Sequence, residues 1–294
     1  MTSTKNMKSW ETMKTWPKKI QSYEEVPEMF KEHFQLFEGD EQFPDSIFIP
    51  PNKWSTKNKV TKLISVFDDR VCIYEEINQK VEMICYSFED IYYTEIGSVL
   101  LDSWIKISGE VHDELKSSMI GFNTARDDLF LPIIKKIRTS ISNVEPCDMQ
   151  NELSKFDYLK TVDLKFLNYS KQSILSGQKV MNVVYQNEIC EKHFKYFSKR
   201  KTNAHIVILT KNELIMIRED YELQKDKNSK YGGVWNYIPL TKIKEIKFEK
   251  KEDEEVYIFS VNLLNNEPIE AICSPSNKTD IDLLINEFYH LTNQ

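Results

Sequence analysis

The chain has 294 residues, a formal net charge of −7, and 40% apolar, 12% aromatic and 29% charged residues. At roughly 150 residues per domain, that length suggests about two domains, each able to bury a core. The acidic balance argues against a dedicated nucleic-acid binder, and the longest uncharged apolar runs fall far short of the roughly 20 residues that span a bilayer.

Residues 1–25 form a basic arm with no strong period, in which Trp10 and Trp16 could hold a membrane surface or another protein. Its lysines are not followed by an apolar run, so no secretory leader is expected and the protein is assigned to the cytoplasm. From residue 26, "VPEMFKEHFQLFEGDEQFPDSIFIPP" reads as a helix with an aromatic face, a turn at Gly39 and a strand. The loop "PNKWSTKNKVTK" (51–62) then carries Lys53, Lys57, Lys59 and Lys62 with Trp54 and no acid. "LISVFDDRVCIYEE" (63–76) is a hairpin pattern, with Asp68 and Asp69 as turn formers. Strands follow in "CYSFEDIYYTEI" (85–96), "SVLLDSWIKISG" (98–109) and "KSSMIGFN" (116–123). Between the last two, Glu110, His112, Asp113 and Glu114 are read as a solvated turn, because neighbouring turn residues rarely converge on one metal ion. "TARDDLFLPIIKKIRTSI" (124–141) has helical spacing, with Thr124 as the expected N-cap.

Residues 143–177 are expected to form a helical bridge, with Leu153, Phe156, Leu159, Leu164, Phe166, Leu167 and Ile174 as its apolar face. The series of elements then repeats. "VDLKFLNYSKQSILSGQKVMNVVYQN" (162–187) matches 26–51, with Gly177 in the place of Gly39. A second basic stretch, "CEKHFKYFSKRKT" (190–202), holds Lys192, Lys195, Lys199, Arg200 and Lys201 with Phe194, Tyr196 and Phe197. "IVILTKNELIMIRED" (206–220) repeats the hairpin, and "YIPLTKIKEIKF" (237–248) lies over 85–96 without a gap, setting Ser87 on Pro239, Phe88 on Leu240 and Ile91 on Ile243. The strands "VYIFSVNLLN" (256–265) and "EPIEAICS" (267–274) and a helix (278–294), with Thr279 as its expected cap, end the chain.

A meander of short strands closed by one amphipathic helix, twice over, resembles the bacterial pleckstrin-homology-like (PH-like, GRAM-like) domain proteins in tandem. The resemblance spans roughly residues 45–142 and 178–294 and rests on strand order, the "YIPLTKIKEI" corner and the closing helix. It implies a mainly β fold with α (α+β): two small PH-like barrels, each preceded and closed by helices. The expected division is an arm (1–25), a first domain with its leading helix (26–142), the bridge (143–177) and a second domain (178–294). Pro239 fits a strand end, where no ladder hydrogen bond is asked of it, and Leu240 and Ile243 are expected to pack into the core.

No phosphate-cradling, nucleophile-elbow or zinc-protease motif occurs, and the five histidines have no ligand spacing. Neither catalytic residue, metal nor cofactor is expected. Five scattered cysteines without a CxxC pair are read as reduced thiols. The expected function is a non-catalytic interaction module for a protein or peptide. The alternative is peripheral binding to anionic lipid through Lys53, Trp54, Lys57, Lys59, Lys195, Phe197, Lys199, Arg200 and Lys201, because the resemblance implies an anion site in the loop after each first strand.

Overall fold

The computed structural model describes residues 15–37, 43–51, 59–142, 145–193, 197–219, 232–252 and 254–292, with backbone alone for 191–193 and 197–199. These fall into two compact units, one within Met1–Ile91 and Leu100–Ile137, the other within Tyr92–Val99 and Arg138–Gln294. Both are mainly β with antiparallel pairing throughout. No helix among the described residues is long and apolar enough to cross a membrane.

In the first unit, β1 (Lys18–Ile20), β2 (Asp45–Ile49), β3 (Lys62–Val66), β4 (Arg70–Ile77) and β5 (Lys80–Ser87) lie side by side in chain order. A 3-10 helix, Glu28–Phe37, takes the place of the expected α-helix and buries Phe30 and Phe34 with Leu63, Cys72 and Tyr74. The Phe34 and Tyr74 rings meet at 5.1 Å. β7 (Asp102–Val111) and β8 (Glu114–Asn123) form a hairpin whose turn, His112 and Asp113, has φ of 53° and 61°. That left-handed pair is the geometry of a two-residue hairpin, so Glu110, His112, Asp113 and Glu114 turn the chain, as expected. Helix α1 (Asp127–Ile141) buries Phe130, Ile133, Ile134 and Ile137, one stripe at helical spacing. The cap is shifted by one residue from expectation: Asn123, not Thr124, accepts the Ala125 amide at 2.9 Å.

Cys72 and Cys85 are joined in a disulfide, which corrects the expectation of reduced thiols throughout. The cause is register. The Asn78–Gln79 turn between β4 and β5 has positive φ at both residues, and the two cysteines stand six places to either side of it, directly opposite.

The second unit begins its helices with α2 (Met149–Ser154) and α3 (Leu164–Ser173), capped by Asp148 and Asp163. Asp163 also accepts from the Tyr185 hydroxyl at 3.0 Å, and Glu152 from the Val180 amide at 2.7 Å, which fastens both helices to β9 (Val180–Gln186). Beside β9 come β12 (His205–Thr210), β13 (Glu213–Arg218) and β14 (Gly233–Pro239), and on the far edge of β14 lies β6 (Ile91–Val99), with Tyr237 opposite Thr94 and Gly233 opposite Ser98. β10 (Ile189–His193) and β11 (Phe197–Thr202) form a separate hairpin between β9 and β12 in the chain. A second sheet, β15 (Ile243–Lys250), β16 (Tyr257–Leu263) and β17 (Pro268–Cys273), leads to α4 (Lys278–Thr292), whose approach is capped by Ser274 and not by Thr279. One core joins both sheets and α4: Val207, Leu214, Ile238, Leu240, Ile243, Phe259, Val261, Leu284 and Phe288, with Tyr92 and Tyr93 of β6.

Pro239 closes β14 with φ −57° and opens a 3-10 turn, Leu240–Lys242, matching Phe88–Asp90 after β5. Leu240, Ile243, Phe88 and Ile91 are all buried, as their spacing predicts. These turns also interrupt the ladders. Each meander therefore breaks into separate open sheets, and no sheet closes on itself among the described residues.

Candidate ligand-binding site

β11 brings Arg200 and Lys201 to a pocket of about 800 Å³ in the second unit, lined also by His205, Met216, Arg218, Lys251, Ile258, Ala271 and Ile272. That volume is within the range of small-molecule sites, roughly 300–1,000 Å³. Its charges are engaged. Arg200 Nε lies 2.9 Å from Glu188 and Arg218 3.6 Å from Glu95. Lys201 Nζ meets one oxygen of Glu254 at 3.3 Å and Lys251 Nζ meets the other at 2.7 Å. Hydrogen bonds from Lys251 and Lys201 hold the Glu254 carboxyl below its usual range. Of the two acids among the described lining residues, Glu219 is paired with Lys165 and Glu270 accepts from the Ser260 hydroxyl at 3.0 Å.

His205 stands in the pocket wall because it opens β12, opposite Arg218 at the end of β13. Its Nδ1 is 3.1 Å from the Asn203 carbonyl, which only accepts, so Nδ1 carries the proton and Nε2 faces the Cys273 thiol at 3.6 Å. A thiol beside an imidazole has the parts of a nucleophile and its base. Burial opposes both charged forms here, pushing Cys273 up to about 12 and His205 down to about 4. Burial disfavours both the thiolate and the imidazolium, so the pair rests neutral. Among the described residues no three His, Cys, Asp or Glu side chains converge to hold a metal.

Of the residues singled out in the sequence, Arg200 and Lys201 come together at this pocket, and Lys59 is exposed in the first unit. Lys53, Trp54, Lys57 and Lys195 lie outside the described residues, as do the side chains of Phe197 and Lys199. Sequence reasoning passed over Lys251, Glu254, Arg218, His205 and Cys273. The first two sit in the run "EKKEDEE" (249–255), which has the look of a solvated turn, and His205 has no second His or Cys at a ligand spacing.

No family model matches the chain. It is similar to the DNA-directed RNA polymerase subunit beta of Phaeodactylum tricornutum (strain CCAP 1055/1), at 26% identity over 168 residues covering 49% of this chain. The match spans 12% of that protein's length, and at this identity and coverage it assigns neither family nor activity.

Proposed function

We propose that the chain is a non-catalytic binding module of two PH-like units whose ligand is a protein or peptide, taken up as an added strand along β15. The observation that carries this reading is the β15 edge. Ile243–Lys250 pairs with β16 on one side and with no other strand among the described residues, while α4 packs beside it and exposes Leu283 and Tyr289. An edge with no second strand partner among the described residues, beside a helix, suits an extended peptide whose main chain completes the ladder. The repeated order of strands, corner turn, strands and helix supports the PH-like reading, as do the matched corner residues Phe88 with Leu240 and Ile91 with Ile243.

Selection of displayed random peptides on the immobilised full chain tests the proposal, with hydrogen exchange on the selected complex and sedimentation with phosphatidylcholine–phosphatidylserine vesicles alongside. An enriched peptide family that protects β15 amides is the expected result. Salt-sensitive vesicle binding that disappears in the variant Lys199→Glu, Arg200→Glu, Lys201→Glu, with no peptide enriched, would overturn it in favour of the lipid alternative. The engagement of Arg200 by Glu188 weighs against that alternative.

A further inference from the structure

We propose that the second-unit pocket binds a small monocarboxylate bearing an aliphatic chain, its carboxylate taking the place of Glu254 between Lys201 and Lys251. This inference does not rest on the peptide reading.

The arrangement of Lys201, Lys251 and Glu254 is a carboxylate receptor already holding a carboxylate of the chain itself. Each ammonium grips a different oxygen, at 3.3 and 2.7 Å, and both lysines line the pocket while Glu254 does not. Charged hydrogen bonds of this kind carry both strength and geometry. Glu254 is replaceable because it belongs to the short connection between β15 and β16 and its side chain is 29% exposed. On release it turns to water, and no buried charge is left unpaired, which is the usual obstacle to breaking an ion pair.

One carboxylate held between the two lysines suits a ligand with one negative charge. The other cations of the lining, Arg200 and Arg218, hold Glu188 and Glu95, so each has a carboxylate neighbour. Glu254 is shared by two lysines that both line the pocket. A polyphosphate would need several such exchanges at once. Part of the lining suits an aliphatic body: Ile258, Ala271 and Ile272 supply apolar surface, and His205 beside them is neutral. Burial of a chain against such surface stabilises by about 25 cal/mol per Å² of apolar area removed from water. The pocket's size, about 800 Å³, admits a medium-length chain with its head group.

Titration calorimetry of the full chain with decanoate, kept below its micelle concentration, tests the proposal, with acetate and 1-decanol as controls. Saturable one-to-one binding of decanoate is expected, with acetate and 1-decanol at least about tenfold weaker, since each lacks one half of the recognition. Glu254→Gln removes the internal competitor and should tighten decanoate about tenfold, and the pair Lys201→Met, Lys251→Met should weaken it by a similar factor, the scale of one charged hydrogen bond. No decanoate binding, non-saturable coating, or equal affinity for 1-decanol would overturn the proposal. So would an unchanged affinity in Glu254→Gln, a change at a part-exposed side chain that decides the question even where the lysine pair fails to fold.

Discussion

Arg138 and Glu213 are taken almost wholly out of water, with side-chain exposures of 7% and 4%. The guanidinium donates to both carboxylate oxygens and to the Ser173 carbonyl and stands 3.8 Å over the Tyr237 ring, while Gln178 Nε2 donates to Glu213 at 2.6 Å. Arg138→Met strands a buried carboxylate and is expected to cost about 3–5 kcal/mol, whereas changing both Arg138 and Glu213 to Met should cost far less. Urea denaturation of the three proteins checks this; equal losses for the single and double variants would show that the pair is not coupled. His205 gives a pH dependence whose sign follows from its burial, which holds its pKa down at about 4 from an ordinary 6.5. Between those values the unfolded chain binds the proton and the folded chain does not, so falling pH favours unfolding. The contribution is intact above pH 6.5, and about 3 kcal/mol of it is gone by pH 4. Comparing urea midpoints of the parent and His205→Gln at pH 7 and pH 4.5 isolates it: the gap between the two proteins should shift in favour of the variant as pH falls.

Elements were legible wherever side chains report on the local backbone. The hairpin turns, the apolar stripe of α1 and the three-residue spacing of Leu240, Ile243 and Ile246 all announce themselves, and all three of the latter are buried. Ile243→Ala should therefore lower stability by about 2–5 kcal/mol, and a thermal melt matching the parent would contradict its place in the core. The Cys72–Cys85 bridge was within reach of the sequence too, by counting outward from the Asn78–Gln79 turn. What could not be read is the pairing of β6 with β14, because ladder hydrogen bonds are made by backbone groups common to every residue. Its one sequence mark is Gly232, at φ 147°, where an added Cβ would stand 2.8 Å from the Ser98 carbonyl. Gly232→Ala should cost about 1–3 kcal/mol and loosen that ladder first, seen as faster exchange of the β14 amides than of those in β16. The pocket was half legible for a similar reason: Lys201 stood in a visibly basic run, whereas Lys251 and Glu254 neutralise each other within a run of mixed charge.

Across the whole molecule, sequence repeats and compact units divide the chain differently. The segment that follows the corner turn Phe88–Asp90 belongs to the first repeat by its residues, yet Tyr92–Val99 falls within the second compact unit. There it pairs with β14 and sets Tyr92 and Tyr93 into the same core as Ile238 and Leu240. A fragment of residues 143–294 would keep every strand from β9 to β17 but lose this one. It would expose the β14 edge and forfeit the burial of two aromatic side chains, roughly 3–6 kcal/mol at about 1.5–3 kcal/mol each, a large share of the 5–15 kcal/mol by which domains are ordinarily stable. It would also lack Arg138, leaving Glu213 without its partner. The fragment is expected to unfold at markedly lower urea concentration than the full chain and to associate through its bare β14 edge. A peptide spanning 90–100, added in trans, should restore part of that stability and protect the β14 amides from exchange. If the fragment alone matched the full chain in urea midpoint and β14 protection, β6 would be an ornament to the second unit and not one of its structural strands.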